Sequence, residues 1–315
     1  MMKRKVFLIL IVILIVTAGM CIGGYFFCGN KEKVDTTKAN TDFIINDNLE
    51  NGNGKKVKVF LLAGQSNASG ASHTKELKGN ISEEKFSKYE TGYNDIYINY
   101  YNDNGNNASL GFTKVKLNQG YADGFFGPEL GIGEKLDEFY PDETIFIIKY
   151  AWGGSNLHTQ WDSKYGNIYK AFIKFTKESL EYLKSKNYNI DIVAMMWMQG
   201  ESDANNRYAR EYENNLLEMV SSIRQEFKEY IHDNMYFIDA YISSSGFWKQ
   251  YKIINKAKQS ICDSSSINIC IDTIAEGLTF DKEPISNPDL AHYDSLSEIK
   301  LGHLFVEKFK EYYQS

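Results

Sequence analysis

The chain has 315 residues, of which 43% are hydrophobic and 24% are charged. A chain of this length and composition can bury a full core, which excludes a disordered protein and suits one large α/β domain or two small ones. The formal net charge of -6 at pH 7, without any long run of Lys and Arg, argues against a nucleic-acid partner.

An uncharged apolar run from residue 6 to residue 28 follows the basic residues Lys3, Arg4 and Lys5. The run is long enough to cross a bilayer as a helix, and it is longer than the apolar core of a typical cleavable signal peptide. The positive-inside rule predicts that the basic residues stay in the cytoplasm. We therefore expect residues 1–28 to be a cytoplasmic stub and signal anchor of a single-pass membrane protein, or a secretion signal if this segment is cleaved.

A polar segment rich in Asn, Asp, Lys and Thr follows, and it predicts a linker over residues 29–54. Beyond it, over residues 55–315, short apolar runs alternate with longer stretches of helical periodicity. This alternation predicts parallel strands covered by helices on both faces. The predicted strands are residues 57–64, 145–150, 192–199, 235–242 and 268–273, and the predicted helices are residues 128–140, 167–186, 208–230, 248–262 and 295–313.

Polar loops follow three of the predicted strands: GQSN after the first, WGGSN after the second and QGESD after the third. Ligands of parallel α/β sheets bind where the carboxyl ends of the strands converge, so we expect the functional site there. A serine in such a loop becomes a nucleophile only if a base takes its proton. Ser66 of GQSN is the first choice, but these arguments do not exclude Ser155 of WGGSN.

The base of a serine hydrolase is a histidine whose second ring nitrogen is held by a carboxylate. Among the five histidines, His292 follows Asp289 by three residues in a loop, a spacing that lets the carboxylate bind the imidazole. Such a site also needs donors for the oxyanion, which the N–H of Ser66, the N–H of a glycine in WGGSN and the side-chain amide of Gln199 are able to supply.

Five motifs in order, GQSN, FFGPELGIGEKL, IIKYAWGGSNL, WMQGESDA and DLAHYDSLSEIKLG, resemble the SGNH-hydrolase superfamily. Within it, the chain is similar to carbohydrate esterases of the sialate O-acetylesterase and acetylxylan esterase type. The resemblance implies a three-layer α/β/α sandwich with a central parallel, flavodoxin-like sheet. It also implies that no metal or organic cofactor is needed.

The resemblance assigns roles to individual residues. It implies that Ser66 is the nucleophile, His292 the base and Asp289 the residue that orients it. Gly153 and Gly154 match the glycine block, with Gly154 favoured as the oxyanion donor beside Gln199. Supporting positions behind the site are Asn67 and Glu201. Ser155 stands where the family often has Thr, which speaks against it as the nucleophile.

The expected reaction is removal of O-acetyl groups from an acetylated glycan outside the cell. Three residues near the predicted site are expected to contact sugar: Trp152, Trp161 and Asn156. The alternatives are an inactive carbohydrate-binding protein on the same fold, an adhesion or scaffold protein, and a lipase or thioesterase of the same superfamily. A disulfide between Cys262 and Cys270 is permitted by an oxidising exterior but is not required by the sequence.

Overall fold

The central strand of the sheet is apolar on both faces. The computed structural model describes residues 43–313, and in its first strand, β1, residues 59–63 are fully buried. Burial on both sides is typical of a parallel strand between two helical layers. The strands in chain order are β1 (Lys56–Gly64), β2 (Ser72–His73), β3 (Ile96–Asn102), β4 (Asn107–Ala108), β5 (Thr113–Lys114), β6 (Phe125–Phe126), β7 (Ile145–Ala151), β8 (Asn189–Met198), β9 (Tyr236–Ala240) and β10 (Asn268–Ile271).

The main sheet has the order β10-β9-β8-β1-β7-β3-β4, with β5 also paired to β3. Its six longer strands are parallel, whereas β4 and β5 run antiparallel to β3. The five strands predicted from the sequence run β7-β1-β8-β9-β10, which is the flavodoxin-like order 2-1-3-4-5. Strands β2 and β6 form a separate two-stranded antiparallel sheet.

Helices cover both faces of the main sheet. They are α1 (Ser66–Ser69), α2 (Thr74–Asn80), α3 (Glu83–Thr91), α4 (Glu129–Phe139), α5 (Asn167–Ser185), α6 (Tyr212–Glu226), α7 (Tyr251–Asp263) and α8 (Ser295–Tyr313). Tyr150 of β7 packs against Phe172 of α5, whereas the preceding residue, Lys149, pairs with Glu129 of α4 on the other face. Successive residues of a strand point to opposite faces, so α4 and α5 lie in different layers.

All five predicted strands and all five predicted helices are present, with ends that differ by a few residues. The prediction missed β3 and its two antiparallel neighbours, together with the small helices α2 and α3. Strand β3 has the sequence IYINYYN, whose Asn residues interrupt the apolar run. Asn99 is nevertheless buried, because its amide donates to Ser179 of α5 and its oxygen accepts from Ser109.

Residues 43–54, predicted as the end of the linker, pack on the domain. Phe43 is buried, and its ring makes edge contacts with Tyr101 and Phe175 at centroid distances of 5.0 and 5.2 Å. The rest of the predicted linker and the predicted anchor over residues 6–28 lie outside the described residues. Of the helices between residues 43 and 313, none has the length and hydropathy that a bilayer crossing requires.

Cys262 and Cys270 form a disulfide, with their Cα atoms 5.9 Å apart. The bond joins the end of α7 to strand β10 and closes a loop with a sequence separation of only 8 residues. The sequence does not decide whether this disulfide forms, and the structure shows that it does.

Candidate active site

The carboxyl ends of three neighbouring strands meet at one edge of the sheet. The N–H of Trp152, just after β7, donates to Gly64 O at the end of β1 at 3.1 Å. On the other side of β1, the N–H of Gln65 donates to Met198 O at the end of β8 at 3.0 Å. The loops GQSN, WGGSN and QGESD are therefore held side by side, as their positions after the strands predict.

Ser66 begins helix α1 directly after the turn that ends β1. Gly64 in this turn has φ +147°, and a Cβ atom there would lie 1.9 Å from Met198 O, so only glycine fits. Ser66 is partly exposed, whereas the three following residues of α1 are buried. As the first residue of a helix, Ser66 has an N–H without an acceptor inside that helix. Both its hydroxyl and its N–H are therefore free of the helix's own hydrogen bonds.

His292 and Asp289 are joined as their spacing predicts. Nδ1 of His292 lies 2.6 Å from Oδ2 of Asp289, and Oδ1 of Asp289 accepts from the N–H of Ala291 at 3.0 Å. The hydrogen bond from His292 lowers the pKa of Asp289 below its ordinary value. Asp289 is thus ionised at neutral pH and favours a proton on Nδ1, which leaves Nε2 as the ring nitrogen able to accept one.

Asn67 connects the loop of His292 to the turn of Ser66. Its Nδ2 donates to Glu201 Oε1 at 2.8 Å, and its Oδ1 accepts from the N–H of Tyr293 at 3.2 Å. Asn67 is only 2% exposed, so this amide is a buried bridge between three loops. Because Asn67 follows Ser66 and Tyr293 follows His292, the bridge joins the chain neighbours of the two predicted catalytic residues.

Two carboxylates from other loops lie within electrostatic reach of His292. Burial raises the pKa of both Asp103 and Glu201, whereas hydrogen bonds from Ser69 to Asp103 and from Asn67 to Glu201 lower these pKa values in part. Glu201 is almost fully buried, and its Oε2 has no hydrogen-bond partner among residues 43–313. Because Asn67 bonds both Glu201 and the N–H of Tyr293, His292 lies near the 201 loop, at the same edge of the sheet as Ser66.

The glycine turn after β7 lies beside Ser66, but only one of its two glycines has a free N–H. A Cβ atom on Gly153 would lie 3.7 Å from the Cβ of Ser66, and the N–H of Gly153 donates to Asp103 Oδ1 at 2.5 Å. The N–H of Gly154 has no acceptor within the described part of the chain, and the space around its Cβ position is open to 4 Å. Gly153 is therefore unavailable to an oxyanion, whereas Gly154 is available.

The structure does not leave Gln199 free for the oxyanion role predicted from the sequence. Gln199 is fully buried, and its Nε2 donates to Ser155 O at 3.1 Å and to Asp203 Oδ2 at 2.6 Å. Its Oε1 accepts from the hydroxyl of Tyr212 at 3.1 Å. Both amide hydrogens thus have acceptors inside the protein, and Gln199 ties the 199–203 loop to the glycine turn.

A protein-family model described as "Carbohydrate esterase, sialic acid-specific acetylesterase" matches residues 56–311. The match includes all the loops described above. The chain belongs to this family of carbohydrate esterases. The resemblance carried by the five sequence motifs is thereby confirmed, and carbohydrate O-acetylesterase activity is the activity that the family supports.

Two solved structures are similar to this carbohydrate esterase over most of its length. One is a protein from Arabidopsis thaliana, with a TM-score of 0.61, 19% identity, and coverage of 81% of this chain and 98% of that one. The other is NanS, with a TM-score of 0.57, 16% identity, and coverage of 83% and 98%. At such identities the likeness shows the fold alone. A search among curated proteins found no match.

The sugar contacts predicted for this esterase are only partly compatible with the structure. Trp161 is fully buried and packs edge-on against Trp197, so it is a core residue that no sugar reaches. Asn156 uses its side chain within its own turn, where Oδ1 accepts from Thr159 and Nδ2 donates to Gln160. Trp152 is partly exposed and packs against the core, and its contact with sugar stays a prediction.

Ser155 is excluded as the nucleophile by its burial. It is 0% exposed, its hydroxyl donates to Trp152 O at 2.6 Å, and the same oxygen accepts from Trp161 Nε1 at 2.8 Å. Because both hydrogen-bonding capacities of the hydroxyl are used inside the protein, Ser155 stabilises the glycine turn. The structure thus distinguishes Ser66 from Ser155, which the local sequence does not.

Asp103 is the site residue that the sequence analysis missed. It follows β3, and its two carboxylate oxygens accept from the hydroxyl of Ser69 and the N–H of Gly153, both at 2.5 Å. It adopts φ +47°, the start of a left-handed turn that continues through Asn104 and Gly105. The Asp-Asn-Gly sequence tolerates such a left-handed turn. It indicates a site residue, however, only once β3 is recognised as a strand that ends beside the other site loops.

Proposed function

We propose that this esterase removes O-acetyl groups from carbohydrate by a serine mechanism with an acyl-enzyme intermediate. Ser66 Oγ attacks the acetyl carbonyl, and His292 Nε2 takes the hydroxyl proton. The bond between the carbonyl carbon and the sugar oxygen then breaks, and His292 gives the proton to that oxygen. In the second step His292 takes a proton from a water molecule, whose oxygen attacks the acyl carbon. The bond from that carbon to Ser66 Oγ then breaks, His292 returns the proton to Oγ, and acetate leaves. The observation that carries this proposal is the 2.6 Å bond between His292 Nδ1 and Asp289 Oδ2.

The oxyanion of both steps is held, in this proposal, by the N–H groups of Ser66 and Gly154. Neither N–H has an internal acceptor among the described residues, and the two belong to adjacent turns. Donors that are already oriented stabilise the developing charge without the cost of reorganisation. Asp103 supports this arrangement because it fixes the neighbouring N–H of Gly153. The acetyl ester thus meets two backbone donors, and the Gln199 amide behind them holds the turns together.

We place the enzyme outside the cell, tethered by the predicted anchor or released by its cleavage. The disulfide between Cys262 and Cys270 supports this location, because such bonds persist in oxidising compartments. The substrate is an acetylated glycan, such as acetylxylan or an O-acetylated sialic acid. A lipase is disfavoured because the carboxylates of Asp103 and Glu201 lie within electrostatic reach of His292, and an apolar acyl chain has no donor for them.

The proposal is tested by measuring acetate release from 4-nitrophenyl acetate and from acetylated xylan with the full chain. Ser66→Ala and His292→Ala are each expected to lower kcat by about three orders of magnitude or more, because they remove the nucleophile and the base. Ser155→Ala in the adjacent loop is the matched serine control. Wild-type activity of Ser66→Ala on the small ester, with a folded protein, would contradict the assignment.

A further inference from the structure

Three partly exposed rings form a continuous row on the small two-stranded sheet. His73 of β2 lies opposite Phe125 of β6, with ring centroids 4.2 Å apart, and the ring centroid of Tyr121 lies 4.5 Å from that of Phe125. We name this row of His73, Phe125 and Tyr121 the aromatic wall. Its central ring, Phe125, contacts both of the others.

The aromatic wall lies outside the hydrophobic core of the described residues. Neither Phe125 nor Tyr121 packs against the hydrophobic core formed by residues 43–313, whereas the next residue, Phe126, is fully buried in it. Cross-strand ring pairs do stabilise a short ladder. That role explains the contact between His73 and Phe125, but Tyr121 lies outside both strands of the ladder.

The backbone of the aromatic wall is fastened to the turn of Ser66. The N–H of Tyr121 donates to Gly70 O at 3.0 Å, and the N–H of Gly70 donates to Ser66 O at 2.8 Å. Gly70 has φ +96°, and a Cβ atom there would lie 2.4 Å from the N of Gly127, just past β6. This close backbone approach requires glycine and fixes the distance between the wall and Ser66.

The aromatic wall also lies within electrostatic reach of two carboxylates of the site. Burial raises the pKa of Tyr121, and the charges of Asp103 and Asp289 raise it further. Asp289 likewise acts on His73, whose pKa burial lowers, so that His73 is a neutral ring at pH 7. The side-chain amide of Asn106 donates to Tyr121 O at 2.7 Å, and the N–H of Asn106 donates to Asp103 O at 3.3 Å, so the wall is joined to the loop whose carboxylate holds the glycine turn.

We propose that the aromatic wall is the binding surface for the sugar ring that carries the acetyl ester. The proposal rests on the serine esterase function proposed above and adds the residues that select a carbohydrate substrate. A pyranose has flat C–H faces that stack on aromatic rings, and hydroxyls at its edges that donate to carboxylates. Rings whose backbone is joined through Asn106 to the loop of Asp103, and which lie within electrostatic reach of Asp289, offer both kinds of contact. An acyl chain, in contrast, has no donor for these carboxylates.

Acetyl esters with and without a sugar should respond differently to changes in the aromatic wall. 4-Nitrophenyl acetate carries the acetyl group without a sugar and needs only the catalytic residues and the oxyanion donors. An acetylated glycan needs the wall as well. Changes in the wall are therefore expected to raise KM for acetylated glycans and to leave the kinetics on the small ester unchanged.

The experiment compares Phe125→Leu and Phe125→Tyr in the full chain, with Tyr121→Leu as a second wall variant. Leucine keeps apolar volume without a ring, and tyrosine keeps the ring. We expect the leucine variants to raise KM for the glycan roughly three- to tenfold, the range of one aromatic contact, and Phe125→Tyr to keep the wild-type KM. Tyr313→Leu is the matched control, since Tyr313 stacks on Phe309 at the end of α8. Acetylated xylan and an O-acetylated sialic acid are tested separately to distinguish neutral from anionic sugars.

Three results would overturn the inference. If the leucine variants hydrolyse the glycans with wild-type KM while Ser66→Ala is inactive, the function stands and the wall does not bind sugar. If the leucine variants lose activity equally on 4-nitrophenyl acetate, with an unchanged thermal unfolding curve, the rings act on catalysis rather than on sugar binding. If the wild type releases acetate from the small ester but from no glycan, the proposed function fails, and the inference fails with it.

Discussion

Replacing Asp103 tests whether the glycine turn beside Ser66 is held in place by a carboxylate. In the wild type, the two oxygens of Asp103 accept from Ser69 and Gly153, both at 2.5 Å. Asp103→Ala removes both acceptors. Asp103→Asn keeps an uncharged oxygen for Gly153, and its amide hydrogens are able to donate to the Ser69 hydroxyl, which rotates to accept. Asp103→Ala thus removes both hydrogen bonds, whereas Asp103→Asn keeps them and removes only the carboxylate charge.

The size of the effect follows from these two bonds. A hydrogen bond to a charged group contributes about 1.5–3 kcal/mol, and a neutral one about 1 kcal/mol. Loss of an oxyanion donor lowers kcat by about a hundred- to a thousandfold. This range is the upper limit for Asp103→Ala, and it is reached only if the whole glycine turn loses its orientation. Asp103 is partly exposed, so water replaces part of the lost bonding. We expect kcat to fall roughly 10- to 100-fold in Asp103→Ala and roughly tenfold in Asp103→Asn.

The assay is steady-state hydrolysis of 4-nitrophenyl acetate, with urea denaturation of each variant as a check on folding. KM for this small ester should change little, because Asp103 is expected to orient a transition-state donor rather than to bind the acetyl group. Ser69→Ala is the control, since it removes one partner of Asp103 and leaves the bond to Gly153. Wild-type kcat in a folded Asp103→Ala protein would refute the reasoning.

Three further predictions concern stability. Ser155→Ala removes two buried hydrogen bonds and should lower the free energy of unfolding by about 2 kcal/mol, and because it only loosens the glycine turn it should lower kcat far less than Ser66→Ala does; a folded variant as inactive as Ser66→Ala would contradict this. Glu298 is buried without a hydrogen-bond partner among residues 43–313, and burial raises its pKa well above 4.5, so its folded form holds a proton that the unfolded form loses above that pH. Wild-type stability should therefore fall with rising pH above 4.5 relative to Glu298→Gln, by about 1.4 kcal/mol per pH unit in urea denaturation, and parallel pH profiles would argue against it. Replacing Cys262 and Cys270 together by Ser should lower the free energy of unfolding by about 2–3 kcal/mol in calorimetry or urea titration, and an unchanged free energy of unfolding would contradict this.

The fold was predictable where the sequence has long apolar runs. Strands β1, β7 and β8 are buried on both faces and therefore read as continuous hydrophobic segments. Strand β3 was missed because its buried Asn99 is satisfied by Ser179 and Ser109, partners that are distant in sequence or lie beyond a turn. A polar residue in a strand is recognisable as buried only when its partners are known.

The candidate site was predictable where the interacting residues belong to the same loop. Asp289 and His292 are three residues apart, and their hydrogen bond follows from that spacing. The partners of Gln199, in contrast, come from the glycine turn and from helix α6, so its amide is occupied in a way that no local pattern indicates. Trp161 was predicted to contact sugar because its segment follows a strand at the predicted site, yet its side chain is fully buried in the core, which the local sequence does not indicate.

The central claim is that the hydroxyl of Ser66 is the nucleophile and that His292 activates it. The most direct measurement is labelling of the full chain with a fluorophosphonate, followed by peptide mass spectrometry of the modified residue. The account predicts a single label on Ser66, no labelling of Ser66→Ala, and much slower labelling of His292→Ala than of wild type. A label on another serine, or equal labelling rates in wild type and His292→Ala, would contradict it.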